Sequence, residues 1–162
     1  MRSFQVFAAM APEEAERMMQ VLSKEAPVMF RQAVDAAAIS IKARPVYLRK
    51  QPFAKRAAAV RRSLSRVATN VVASELLAIY FLECRKPLLL EWLDLLGLAH
   101  EDGTLEEDAP AQPDAATLAA AVEKYRAAEA DPDRELLLRA FAAQDAIDWP
   151  ALDAALGFEV ER

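Results

Sequence analysis

The 162-residue chain predicts an all-α fold: a single-domain array or bundle of six to eight helices around a central apolar helix. Three observations carry this expectation. Alanine is abundant and glycine occurs only three times, a balance that favours helix over a turn-rich sheet. Apolar residues recur at steps of three and four, and no segment alternates strictly with a period of two. Prolines stand where apolar stripes begin, a position at which the missing N–H is not needed. At this length a single domain can bury a core without a disulfide or metal staple.

The first helix is expected from Pro12. Glu13 and Glu14 then lie in its first turn, where the helix dipole favours negative charge. Ala15, Met18, Met19 and Leu22 form its apolar stripe. Pro27 opens a second helix with Phe30, Val34, Ala37 and Ile41 on one face. Arg31 and Asp35 can pair across one of its turns. Pro45 bounds this run, because the residue before a proline is pushed out of the helical region. Residues 44–52 form a connector between two prolines, extended or a single helical turn, with Val46, Tyr47 and Leu48 as possible anchors.

Phe53, Ala57, Val60, Leu64, Val67 and Val71 make the stripe of a third helix. It either runs on to Arg85 or breaks near Thr69 and Asn70, two weak helix formers. Residues 71–82 are apolar nearly all round and are expected to be the most buried element. They are short for a membrane span and include Glu75, so a buried helix is preferred and no membrane partner is assigned.

Pro87 opens a helix with Leu89, Trp92, Leu93 and Leu96, stopped by Gly97, which tolerates the left-handed conformation. Residues 99–115 read as an exposed acidic loop. Asp114 can cap a helix carrying Leu118, Val122 and Tyr125. Asp131 can cap another, with Leu137, Ala140, Phe141 and Gln144 along one side. Asp148 can cap a last helix with Trp149, Leu152 and Leu156, ended by Gly157. No repeat of solenoid length is visible.

Charge is unevenly divided. Residues 1–86 hold 15 Lys/Arg against 7 Asp/Glu, a formal +8, while residues 87–162 hold 5 against 18, a formal −13. The chain therefore reads as one helical domain with a basic half (1–86), an acidic loop (99–115) and an acidic helical part (116–162). Cys84 is the sole cysteine, which excludes an internal disulfide and suits a reducing, cytoplasmic setting. The apolar run near the N-terminus is short for a secretory leader, so the first residues are assigned to the domain.

Nine Lys/Arg fall within residues 42–66, and no acidic residue lies between Asp35 and Glu75. Lys55, Arg62 and Arg66 project opposite the apolar stripe, flanked by Arg56 and Arg61. Such a row can follow a phosphate backbone. It lacks the Asn, Gln and Ser mixture that reads base edges, and no two-helix unit with a short glycine turn precedes it. A solvated basic face is the competing reading.

Glu75 interrupts an apolar run and is expected to be a buried carboxylate, paired with an arginine of the basic segment. His100 with its neighbouring carboxylates could hold a divalent metal, but they have no recognisable ligand spacing and make no calcium loop. One histidine cannot supply the two Glu-x-x-His elements that a di-metal site with Glu75 and Glu83 would need. Arg85 and Lys86 beside Cys84 can lower a thiol pKa, yet no sequence feature brings His100 to it. Ser40, Ser63, Ser65 and Ser74 lack a nucleophile elbow. The aromatic residues read as core, with Tyr80 a possible exception.

No cofactor or metal is implied. The leading expectation is a non-enzymatic helical protein acting through self-association, as a homodimer, or through a protein partner. The alternative is a nucleic-acid-binding regulator using residues 42–66, and a third is a carrier or enzyme with an interhelical pocket near Tyr80 or Trp92.

Overall fold

The computed structural model describes residues 1–158. Helix makes up 70% of it, in ten helices of which eight have seven residues or more, so the all-α expectation holds. The described residues fall into two compact units, Ser3–Cys84 and Arg85–Arg162, with Met1–Arg2 joined to the second. The division lies close to the point where the charge of the sequence changes sign.

The Ser3–Cys84 unit begins one helix earlier than the Pro12 start suggests. α1 (Ser3–Ala9) buries Ser3, Val6 and Phe7. Its short apolar run is thus a packed helix, lying against α5 and α6. α2 (Pro12–Glu25) buries Ala15, Met18, Met19 and Leu22, the stripe that its periodicity marks. α3 (Pro27–Ser40) buries Phe30, Val34, Ala37 and Ala38. It stops five residues short of Pro45, and Ile41 turns outward at 45% exposure. The connector folds into a single turn, α4 (Pro45–Arg49), with Leu48 as its one buried side chain.

α5 (Phe53–Leu64) buries Ala57, Val60, Ser63 and Leu64. It ends earlier than its stripe implies, because Ser and Thr side chains take over its last carbonyls. Ser65 Oγ donates to the Arg62 carbonyl at 2.8 Å, and Thr69 Oγ1 to the Ser63 carbonyl at 2.8 Å. Arg66 is extended (φ −100°, ψ 143°), followed by a 3₁₀ turn over Val67–Thr69 and then α6 (Asn70–Ile79). The extended residue resets the helical phase, so Val67 and Val71 leave the buried stripe.

The expectation for residues 71–82 is therefore corrected. α6 buries only Ala73, Leu76 and Leu77. Val71 and Val72 are 68% and 46% exposed. A π-helical turn, Tyr80–Cys84, follows. Its wider winding turns two adjacent rings inward: Tyr80 and Phe81 are both buried, edge to face at 5.0 Å. Tyr80 is core, not an exposed exception.

In the Arg85–Arg162 unit, α7 (Lys86–Leu96) buries Leu88, Trp92 and Leu93 and ends at Gly97 with φ +68°. The acidic loop holds a small hairpin that period-two reading misses. β1 (His100–Glu101) pairs antiparallel with β2 (Thr104–Leu105). Asp102 and Gly103 both have positive φ, the geometry an Asp-Gly hairpin turn requires.

α8 (Ala115–Ala128) buries Leu118, Ala121, Val122 and Tyr125. Asp114 caps it, accepting from the Thr117 N–H at 2.9 Å. α9 (Asp133–Ala142) is the most buried long helix, with eight of its ten residues enclosed. Asp131 accepts from the Asp133 N–H at 2.9 Å at its start. α10 (Pro150–Ala155) is short and buries Leu152; Trp149, rather than Asp148, stands at its N-cap. The core of this unit is a chain of rings, with Trp92 on Tyr125 (5.2 Å) and on Phe141 (5.9 Å), and Phe141 on Trp149 (5.6 Å). Each such pair adds about 0.5–1.5 kcal/mol beyond area burial.

Candidate functional site

The basic segment separates into structural and outward cations. Arg61 donates from Nε to the Met10 carbonyl at 2.7 Å and from its terminal nitrogen to the Ala8 carbonyl at 3.3 Å. It thereby satisfies carbonyls at the end of α1 that have no helical partner. Arg56 lies over the rings of Phe53 (5.1 Å) and Phe30 (5.8 Å), which themselves stack at 5.5 Å. Neither guanidinium is presented as the free flank that the sequence suggests, because each is used inside its own unit.

Lys55, Arg62 and Arg66 are exposed and make no ion pair with any described residue. The row they were expected to form is broken, however. Arg66 lies beyond the end of α5 on extended backbone, so it is not one helical turn from Arg62. Lys42, Arg44 and Lys50 are likewise exposed and unpaired among the described residues. Arg49 differs: its Nε donates to Asp35 at 2.7 Å and its terminal nitrogen pairs with the other carboxylate oxygen. This bidentate hydrogen bond holds the Asp35 carboxyl below the usual carboxylate range. Asp35 pairs with Arg49 from α4 rather than with Arg31 on its own helix.

Glu75 is not a buried ion-pair member. It is exposed on the outer side of α6 beside Val71 and Val72. The phase reset at Arg66 turns Ala73, Leu76 and Leu77 inward and leaves Glu75 in water. The arginine that is buried in an ion pair is elsewhere, and its carboxylate partner keeps access to water. Arg134, 4% exposed, donates two hydrogen bonds to Glu91, at 2.9 and 2.8 Å, and one to the Tyr125 carbonyl at 3.2 Å. Its guanidinium sits 4.6 Å from the centre of the Tyr125 ring. Burial pushes the Tyr125 hydroxyl far above its ordinary pKa, and that hydroxyl donates to the Leu88 carbonyl at 3.0 Å. Arg85 pairs with Asp131 and, at 3.1 Å, with the buried Asp133. Forty-three residues separate Arg134 from Glu91. No local spacing marks such a pair.

The remaining chemical candidates are occupied structurally. His100 Nδ1 accepts from the Gly103 N–H at 3.2 Å, so Nε2 carries the proton and donates to Asp94 at 2.8 Å. It braces the hairpin against α7. Among the described residues no group of three or more His, Cys, Asp or Glu side chains gathers to hold a metal ion. The neighbouring cations do not activate Cys84. Burial first, and then Glu25 and Glu83, push its thiol up, while Arg85 is held by Asp131 and Asp133. Ser40 and Ser65 donate back to carbonyls three residues earlier. Trp92 and Tyr80, proposed as pocket markers, are fully buried against other rings.

Surface apolar residues, which periodicity could not isolate, are the feature that remains. Among the described residues, eight large apolar side chains are exposed: Val28, Ile39, Ile41, Val46, Tyr47, Val67, Val71 and Val72. All eight belong to Ser3–Cys84. Val28 stands alone at the start of α3, and the other seven form two sequence-local groups, one at the α3–α4 corner and one along the 3₁₀ turn and α6. Over Val67–Cys84 the chain is long and apolar enough to cross a membrane by length and composition alone, and only 28% of that stretch is buried. Comparison of the chain with family models, with curated proteins and with solved structures finds no match.

Proposed function

We propose that the protein is a non-enzymatic interaction protein that self-associates through the outer stripe of the 3₁₀ turn and α6. The single observation behind this reading is the exposure of Val67, Val71 and Val72, at 64%, 68% and 46%. Val67 is in the 3₁₀ turn and Val71 and Val72 are in the first turn of α6, so the exposed valines fall within six residues, with Ala68 also exposed among them and Glu75 beside them. Taking a valine fully out of water contributes about 1.5 kcal/mol or more. Six valines across a two-fold interface supply an energy of the order of the entropic cost of association. The expected product is a concentration-dependent homodimer, in which the same patch serves on both subunits.

Sedimentation equilibrium over a range of concentrations tests this. A mass rising toward twice the 17.9 kDa of one chain, and staying at one chain in V67E/V71E, supports the reading. One chain's mass at every concentration sinks it. The second reading, nucleic-acid binding, draws on the exposed and unpaired Lys55, Arg62 and Arg66. Salt-sensitive complexes with duplex DNA that vanish in R62E/R66E would favour it over the first.

A further inference from the structure

The α3–α4 corner carries the second apolar group, separate in sequence from the exposed valines. Within residues 39–50, Ile39, Ile41, Val46 and Tyr47 are 68%, 45%, 55% and 61% exposed. Lys42, Arg44 and Lys50 are interleaved with them, exposed and without an ion pair among the described residues. The one carboxylate close by in sequence, Asp35, is held by Arg49. Its charge is thus already matched.

The local fold keeps this set pointing outward. Leu48 is buried and Arg49 is clamped to α3, so the single turn of α4 is fixed on that side and presents Val46 and Tyr47 on the other. Lys42 has φ +57° where α3 closes, with its N–H on the Ile39 carbonyl at 3.0 Å and the next N–H on the Ala38 carbonyl at 2.9 Å. Glycine is the residue of least strain at such a closure. The chain instead holds a lysine there, beside Ile41.

We infer that this corner is a docking surface for an anionic lipid bilayer. Aliphatic and tyrosine side chains can enter the headgroup–acyl boundary while lysine and arginine meet lipid phosphates and carboxylates. Charge complementarity selects this occupant. A polyanion such as duplex DNA would use the cations and leave Ile39, Ile41 and Val46 in water. The core of a protein interface is generally depleted of lysine, whereas here lysines are set among the apolar residues. The inference stands apart from self-association, because the two use different residues.

The test is co-sedimentation of the full chain with phosphatidylcholine vesicles, with and without phosphatidylserine, alongside duplex DNA. Binding is expected only to the phosphatidylserine vesicles and should weaken with added salt. K42E/R44E should lower the partition coefficient by about a hundredfold or more. V46S/Y47S keeps every charge and should lower it by about tenfold or more. All four positions are exposed, and far-UV ellipticity confirms that the variants fold.

Tyr47→Trp adds a readout of insertion, since both native tryptophans, Trp92 and Trp149, are buried. Its emission should move to the blue on phosphatidylserine vesicles and not on DNA. The inference is overturned by absence of vesicle binding at low salt. It is equally overturned by binding that V46S/Y47S leaves unchanged with no blue shift, and DNA binding of the same kind would make the corner a nucleic-acid surface instead.

Discussion

In the Arg85–Arg162 unit, Arg134 is buried against Glu91 and Tyr125, Arg85 is held by two aspartates, and Arg126 donates to both carboxylate oxygens of Glu135. In the Ser3–Cys84 unit, Lys42, Arg44, Lys50, Lys55, Arg62 and Arg66 point to solvent without a described partner. Apolar residues follow the same contrast. Among the described residues, every exposed large apolar side chain belongs to the Ser3–Cys84 unit, and the other unit encloses its tryptophans and Phe141 in a chain of ring contacts. The contrast teaches where to look for function. A unit that uses its cations and rings internally is organised for its own stability. A unit that leaves unpaired cations and large apolar side chains outward has surface available for another molecule.

The sharpest way to break this contrast is Arg134→Ala. It strips a buried cation from Glu91 and from the ring of Tyr125. The expected cost is about 2–3 kcal/mol, below the range for a fully enclosed pair because Glu91 keeps access to water. Tryptophan emission during denaturant unfolding reports it, since both tryptophans belong to this unit. An unchanged midpoint would mean that the pair is not what holds α9 to α7.

The basic segment offers a smaller, internal comparison. Arg61→Ala should cost about 1–2 kcal/mol, because the end of α1 loses its charged donor. Arg62→Ala, one residue on and fully outward, should stay within about 0.5 kcal/mol of the parent. Far-UV ellipticity in urea measures both, and equal losses would erase the distinction between structural and free cations.

Asp114→Ala should have a small effect, with a defined pH dependence. Hydrogen bonds from the Thr117 hydroxyl and then from its N–H hold the Asp114 carboxyl below its ordinary value. A folded-state pKa below the unfolded one stabilises the fold above the usual carboxylate range. That contribution is lost as pH falls through the lowered value. The melting temperatures of parent and variant should therefore differ at neutral pH and converge in acid. A constant difference would show that the cap does not act through the ionised carboxylate.

Much of the architecture was legible from periodicity. The stripe Ala15, Met18, Met19, Leu22 is the buried face of α2, and Leu118, Val122 and Tyr125 are buried in α8. Pro12 and Pro27 mark real helix starts, Gly97 closes α7 in the left-handed conformation, and Asp114 is a true cap. These features are local. Side-chain spacing, a ring-fixed φ, or a carboxylate two or three residues from an N–H determines each of them.

What failed to read was the phase between elements. One extended residue at Arg66 carried Val67 and Val71 off the predicted stripe, exposed Glu75 and broke the Lys55–Arg62–Arg66 row. The π-helical turn brought Tyr80 and Phe81 inward together. Hydrophobicity alone marked residues 71–82 as the core, yet burial depends on which neighbours pack around a helix, and α9 is the more enclosed element.

By itself, then, the sequence determined a helical chain, most of its helix starts and a basic half joined to an acidic one, because these follow from local sterics and composition. Only the tertiary structure decided which arginines are spent on carbonyls, rings and carboxylates, and which apolar residues remain outside. Those outcomes depend on side chains meeting across tens of residues, as Arg134 meets Glu91 and Arg61 meets Met10. Spacing along one helix carries no information about such meetings.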